Sequence, residues 1–249
     1  MNPAPQAVLP APLRVAAEHY FGDRLPLVVR YADLLAADGV VRGLIGPREV
    51  PRLWERHLLN SVALVERIGQ GASVADVGSG AGLPGVVLAV ARPDLDVLLV
   101  EPQLRRTSFL EEIVQALALE RVTVVRARAE EAVRRIQPVD VVVARAVAPL
   151  GRLAGWCLPL ATVGGRMLAV KGASAADEVA RDRVVVRRVG GAEPAIVACG
   201  AGWLDPPVTI VEVLRGRPMR VPGDPTGNSS GSAGTRPGGP GSRRGGRRR

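Results

Sequence analysis

Apolar residues recur at three- and four-residue steps over residues 13–21, 25–37 and 48–68, a period that predicts helices through the first seventy positions. Gly39, Gly43, Gly46 and Pro47 separate the second from the third. From Ser73 the pattern changes to short runs of Val, Ala and Leu that alternate with helical stretches. Strands are predicted at 73–77, 96–101, 122–126, 139–144 and 166–170, with helices at 83–91, 104–117, 130–136 and 150–160. Alternation with short connections implies a parallel sheet covered by helices on both faces, hence an α/β fold of Rossmann-like type with an N-terminal helical extension. After Lys171 come a weak helix near 177–183, an apolar run at 184–189, and strand candidates at 195–199 and 208–214 that would complete the far edge.

Four prolines in residues 1–12 and the Gly, Pro, Ser and Arg that fill residues 222–249 set the ends apart as flexible segments. Between them the reading is an extension over 13–70 and one main domain over 71–221, because a chain of this length more often builds one α/β core than two. The net charge of +9 changes meaning once it is located. From Arg215 onward there are nine arginines against one acid, so the tail carries nearly all of it and residues 1–214 only +1. A basic footprint spread over the fold is therefore not what this chain has, while the tail reads equally as a nonspecific polyanion tether or as a dispensable, soluble appendage. Cys157 and Cys199 match no metal-ligand spacing, and His19 and His57 cannot complete a site, so neither metal nor disulfide is expected. No stretch reaches the roughly 18 apolar residues of a membrane span, and the first residues lack a signal-peptide pattern, which predicts a cytoplasmic protein with no membrane partner.

The chemistry is concentrated in Asp76-Val77-Gly78-Ser79-Gly80-Ala81-Gly82-Leu83-Pro84-Gly85, between an apolar strand and a helix. Glycines here let the backbone turn sharply and let a ligand approach where a Cβ would collide. Gly80, Gly82 and Gly85 also spell the dinucleotide fingerprint, so a nicotinamide or flavin enzyme competes with a methyltransferase that uses S-adenosylmethionine. Asp76 separates the two: a carboxylate ending the first strand suits the ammonium of a methionine moiety and would repel a diphosphate. Glu101, ending the second strand, can accept hydrogen bonds from ribose hydroxyls of either cofactor. Arg128, Ala129 and Glu130 open a helix after the third strand, where backbone groups of Ala129 and Glu130 can read an adenine edge. Arg145 follows the fourth strand and points to the crevice where open α/β sheets bind ligands. Lys171, the single lysine, ends the fifth.

The segments Asp76 to Gly85, Glu101 to Leu110, Arg128 to Glu131, Ala144 to Ala146 and Val170 to Gly172 together closely resemble the bacterial small-subunit rRNA methyltransferase G family, also called GidB. The resemblance runs in order from about Arg48 to Leu214. It implies the class I methyltransferase fold, with the last strand antiparallel, and transfer of a methyl group from S-adenosylmethionine to N7 of a guanine in the 530 loop of 16S rRNA (guanosine 527), free or within the 30S subunit. It implies cofactor contacts at Gly78, Leu83, Ala129, Glu130 and Arg145, beside Asp76, Gly80, Gly82 and Glu101 read from the residues themselves. Asn60 stands where the family usually has Asp, and the family's Asn-Leu-Thr pattern is not evident around Tyr31 to Gly46.

Guanine N7 offers a lone pair and no proton, so this reaction needs alignment and no general base. No residue is assigned to proton transfer; Arg128, Arg145 and Lys171 are the positioning candidates. Amine methylation would call for an Asp/Asn-Pro-Pro-aromatic loop after the fourth strand, where Arg145-Ala146-Val147 stands; Asp205-Pro206-Pro207-Val208 lies too late and lacks the aromatic residue. A methyltransferase acting on a small molecule or protein, and a noncatalytic RNA-binding protein, remain the alternatives.

Overall fold

The computed structural model describes residues 7–145 and 148–216. The flexible tail expected over 222–249, with all six of its arginines, lies outside the described residues, as do Ala146 and Val147.

Among the described residues seven strands form one sheet in the order β3-β2-β1-β4-β5-β7-β6. They are β1 Ser73–Val77, β2 Asp96–Val100, β3 Val122–Val125, β4 Val139–Arg145, β5 Ala161–Val170, β6 Ala195–Cys199 and β7 Val208–Leu214. β1 pairs in parallel with β2 and β4, β2 with β3, and β4 with β5, whereas β7 runs antiparallel to both β5 and β6. The strand order reverses between β1 and β4, which opens a crevice at their carboxyl ends. The antiparallel last strand is thus present, inserted between β5 and β6.

Alternation along the strands feeds two cores, one on each face. Val74, Val141 and Val143 join the N-terminal helices α1 (Arg14–Phe21) and α2 (Leu25–Leu34), together with α3 (Gly85–Ala91) and α4 (Leu104–Ala116). Ala75, Val142 and Ala144 turn the other way, to the short α5 (Ala129–Ala132), α6 (Leu150–Cys157) and α7 (Ala175–Arg188). The N-terminal helices are therefore part of the main core. Trp54 is buried there with its indole N–H donated to the Ala7 carbonyl at 2.7 Å. Burial of a side chain of this class stabilises by about 1.5–3 kcal/mol.

Three stretches depart from the periodic pattern, each for a local reason. Residues 47–67 form a succession of tight and wide helical turns in place of one helix, with Pro51 removing a backbone donor inside them. β5 begins five residues earlier than its apolar run, because Ala161 pairs with Val139 before the register shifts. A Cβ at Gly165 would sit 2.7 Å from the Asp140 carbonyl, so this irregularity requires glycine. The weak helix and the apolar run after Lys171 are one helix, α7. Asp177 and Glu178 in its first turn and Arg187 and Arg188 in its last suit the helix dipole. Val186 is fully buried, and this packing outweighs the low helix propensity of three consecutive valines.

Candidate cofactor and acceptor site

The glycine loop turns out of β1 over the crevice. At Gly82, with φ +100°, a Cβ would lie 2.5 Å from Val86 Cγ2 and 2.9 Å from the Tyr31 hydroxyl. At Gly85 it would meet Leu99 at 2.4 Å and the Asp76 carboxylate at 2.8 Å. The loop is thus held from both sides: by the strand beneath it, and by the Tyr31 hydroxyl, which donates to the Ala81 carbonyl at 2.8 Å. Tyr31 is fully buried on α2, and burial pushes its hydroxyl well above its ordinary pKa. Nothing in the sequence around Tyr31 marked this contact, since a tyrosine on an apolar helix face reads as core.

Asp76 is fully buried. Its Oδ2 accepts from the Ser79 hydroxyl at 2.7 Å and the Gly85 amide at 2.9 Å, while Oδ1 has no partner. One oxygen therefore holds the loop and the other is left over. An unsatisfied buried acceptor costs about 1–3 kcal/mol, more when charged, a cost that an added donor would offset. Burial raises the carboxyl to about 6, against the opposing hydrogen bonds of Ser79 and Gly85 and the charge of Arg145.

Glu101 is also buried, and its two oxygens accept from the Gly80 amide at 3.1 Å and the Gln103 amide at 3.0 Å, with Arg106 at 3.5 Å. Each oxygen retains a second lone pair. Beside it lies a slot of about 150 Å³ walled by Gly78, Val100, Arg128, Ala129, Glu130 and Trp156. The structure thus brings Gly78, Ala129 and Glu130 together with Arg128. It adds Trp156, whose position on α6 gave no sequence signal. Leu83 instead buries its side chain in the core and donates its amide to the Ser79 carbonyl at 3.1 Å.

The three positioning candidates fare differently. Arg128 is exposed at the start of α5 and, among the described residues, makes no ion pair. Arg145 is tied to the N-terminal segment: Nη1 donates to the Arg56 and His57 carbonyls at 3.2 and 3.4 Å, and Nη2 to His57 Nδ1. Since His57 Nδ1 accepts, Nε2 carries the proton and donates to Glu49 Oε2 at 2.9 Å. Burial lowers the pKa of His57, which keeps the ring neutral and the relay intact. Burial also lowers that of Arg145, opposed by Tyr31, Asp76 and Glu49. Lys171 is not near the glycine loop's slot; its ammonium donates to the Ala148 carbonyl and to Glu178, both at 2.8 Å, in a largely buried ion pair.

A second cleft of about 590 Å³ opens at the carboxyl end of β5 and the start of β7, between residues 55–60 and the loop of Trp203 to Pro207. Arg56 and Asn60 line one wall. The Asp205-Pro206-Pro207 sequence, set aside on its position in the chain, lines the other. Among the described residues no group of three or more His, Cys, Asp or Glu is placed to hold a metal, and no helix is long and apolar enough to cross a membrane. Cys157 and Cys199 are buried, and burial pushes both thiols up, Cys199 to about 11.

Comparison with known proteins agrees with this geometry. A putative S-adenosyl-L-methionine-dependent methyltransferase from Methanococcus maripaludis superposes with a TM-score of 0.53 at 14% identity, over 74% of this chain and 92% of that one, which shows a shared fold. Among curated proteins, ribosomal RNA small subunit methyltransferase G of Salinispora arenicola is 59% identical over 227 residues, 88% of this chain and 94% of the relative. The protein of the same name from Streptomyces avermitilis is 54% identical over 204 residues, 82% and 85% of the two chains. The family model for GidB, described as rRNA small subunit methyltransferase G, matches residues 24–204, and the chain belongs to that family.

Proposed function

We propose that this protein transfers a methyl group from S-adenosylmethionine to N7 of a guanine in the 530 loop of 16S rRNA (guanosine 527). It does so in the cytoplasm, on rRNA that is free or part of a 30S particle. Family membership supports the rRNA methyltransferase reading. The observation that carries the cofactor assignment is the buried, unpartnered Oδ1 of Asp76 beneath the glycine loop.

The donor supplies an electrophilic methyl carbon on a sulfonium sulfur. Asp76 Oδ1 accepts from the ammonium of its methionine end, a cation that offsets the cost of burying the carboxylate, the cost that otherwise raises its pKa to about 6. Glu101 offers its remaining lone pairs to the ribose hydroxyls. The slot of Gly78, Ala129, Glu130 and Trp156 fits adenine, with Ala129 and Glu130 reading its edge through backbone groups. Gly80, Gly82 and Leu83 shape the loop around the chain between sugar and sulfur. Arg145, fixed by His57, holds a cation where β4 ends, and Arg128 stands at the slot's open side.

Guanine N7 attacks with a lone pair and loses no proton, so the side chains bind and align and none transfers a proton. Nucleoside mass spectrometry of 16S rRNA from cells with and without the gene product tests the proposal. The methylated guanosine is expected only where the protein is present, and a product mapped to another position overturns it. The low charge of residues 1–214 favours one rival, a small-molecule or protein acceptor. Labelled methyl recovered in a metabolite or protein fraction and absent from RNA would establish that rival.

A further inference from the structure

We infer that the cleft between residues 55–60 and the Trp203 loop docks one unstacked nucleobase of the RNA, laid against the Trp203 indole; this rests on the reading that RNA is the methyl acceptor. The volume of about 590 Å³ lies within the usual range for sites that enclose a small ligand or a nucleotide-sized fragment. Its position follows from the sheet. Arg145 pairs in register with Val170 at the ends of β4 and β5, and its guanidinium donates to the carbonyl of Arg56, a residue of the cleft wall. On its other side β4 adjoins β1, with Val143 beside Asp76. A base in the cleft is therefore one strand away from the place where the glycine loop holds the donor.

The lining favours a base over other occupants. Trp203 is 42% exposed in a chain with only 3% aromatic residues. Its ring already lies parallel to His19 of α1, with centroids 3.7 Å apart and planes 9° apart. A base on the open face of the indole extends an existing stack, the usual way in which single-stranded RNA is gripped. Glu55 and Asp205 line the same cleft and would repel a phosphate, but they accept hydrogen bonds from the amino and imino groups of a base. Arg56 lines the cleft and Arg52 lies one helical turn before it. Both are exposed and, among the described residues, without an ion pair, as cations for the flanking phosphates should be. An aromatic face, acceptors within and free guanidinium groups nearby match a nucleotide in an unpaired segment.

The test uses the full-length protein without methyl donor and a guanosine-containing single-stranded oligoribonucleotide, with the same strand carrying an abasic ribose as control. Tryptophan emission should be quenched by the first strand and much less by the second. Trp203→Phe should keep the affinity, measured by anisotropy of labelled RNA, within a few-fold and lose the quench, which assigns the signal to this one of the three tryptophans. Trp203→Ala should raise the dissociation constant about tenfold, the loss expected for one stacked base. In turnover with RNA its deficit should fall on KM more than on kcat. A thermal melt like the wild type's is expected for an exposed side chain. Unchanged affinity in Trp203→Ala, or a quench that persists in Trp203→Phe, overturns the inference. Base-dependent quenching without methyl transfer to any RNA would overturn the proposed reaction and leave the docking site standing.

Discussion

The two halves of the crevice are built on different principles. On the side proposed to hold the donor, Asp76, Gly78, Gly80, Gly82, Glu101, Ala129 and Glu130 sit at the ends of consecutive strands, so a stretch of local sequence fixes each one. On the acceptor side the contacts join distant segments: Arg145 reaches back 88 positions to His57, and the loop of Trp203 meets α1 at His19. A site made of strand ends needs little beyond the sheet to assemble. One made of long-range contacts exists only when the N-terminal helices have docked.

The largest effect expected from separating the halves is at Lys171, which lines the cleft proposed for the acceptor. Lys171→Ala removes the cation from Glu178 and leaves its half-buried carboxylate only the Leu150 amide and the Ser174 hydroxyl, and a loss of about 3 kcal/mol or more in chemical denaturation should follow. A variant of wild-type stability with weakened RNA binding would instead make Lys171 an RNA contact. On the donor side, Gly82→Ala forces a Cβ against Val86 at an unfavourable φ and should cost about 3 kcal/mol, with donor binding lost in calorimetry.

Asp76→Asn keeps an acceptor and removes the charge, so donor affinity should fall about 10- to 100-fold while RNA affinity holds. The same residue predicts a pH signature. Burial raises its folded pKa from 3.8 to about 6, so without donor the folded protein binds this proton more tightly than the unfolded chain. Its contribution to stability is complete below about pH 4 and is lost as pH climbs through about 6, by on the order of 3 kcal/mol. Donor affinity should rise over that interval, and both trends should vanish in Asp76→Asn. The smallest effect is expected at Tyr31→Phe, which removes the hydrogen bond to the Ala81 carbonyl and should cost about 1 kcal/mol, read as a lower melting temperature with donor affinity reduced a few-fold. A large loss of RNA binding there would blur the division between the halves.

What could be read from the sequence divides along the same line. β1, β6 and β7 have the bounds their apolar runs predict, and Gly78, Arg128, Ala129 and Glu130 meet in one slot because strand ends converge by construction. The split role of Asp76 was only half legible. A carboxylate at that position suggests a cation, but the sequence does not reveal that Oδ2 is engaged by Ser79 and Gly85. The Lys171–Glu178 pair, the Glu49–His57–Arg145 relay and the Tyr31 contact were not legible. Each depends on which helix face turns inward, a property of packing that no local spacing encodes.

The position of β7 bears on how the chain is made. Among the described residues it is the last strand synthesised, yet it fills the gap between β5 and β6, and β6 pairs there with no other strand. Until Leu214 has left the ribosome, β5 presents an open hydrogen-bonding edge and β6 is unattached, so the nascent protein carries an adhesive border from the completion of β5 until β7 pairs. A premature stop even a few codons before that strand would therefore yield an insoluble product rather than a shortened enzyme.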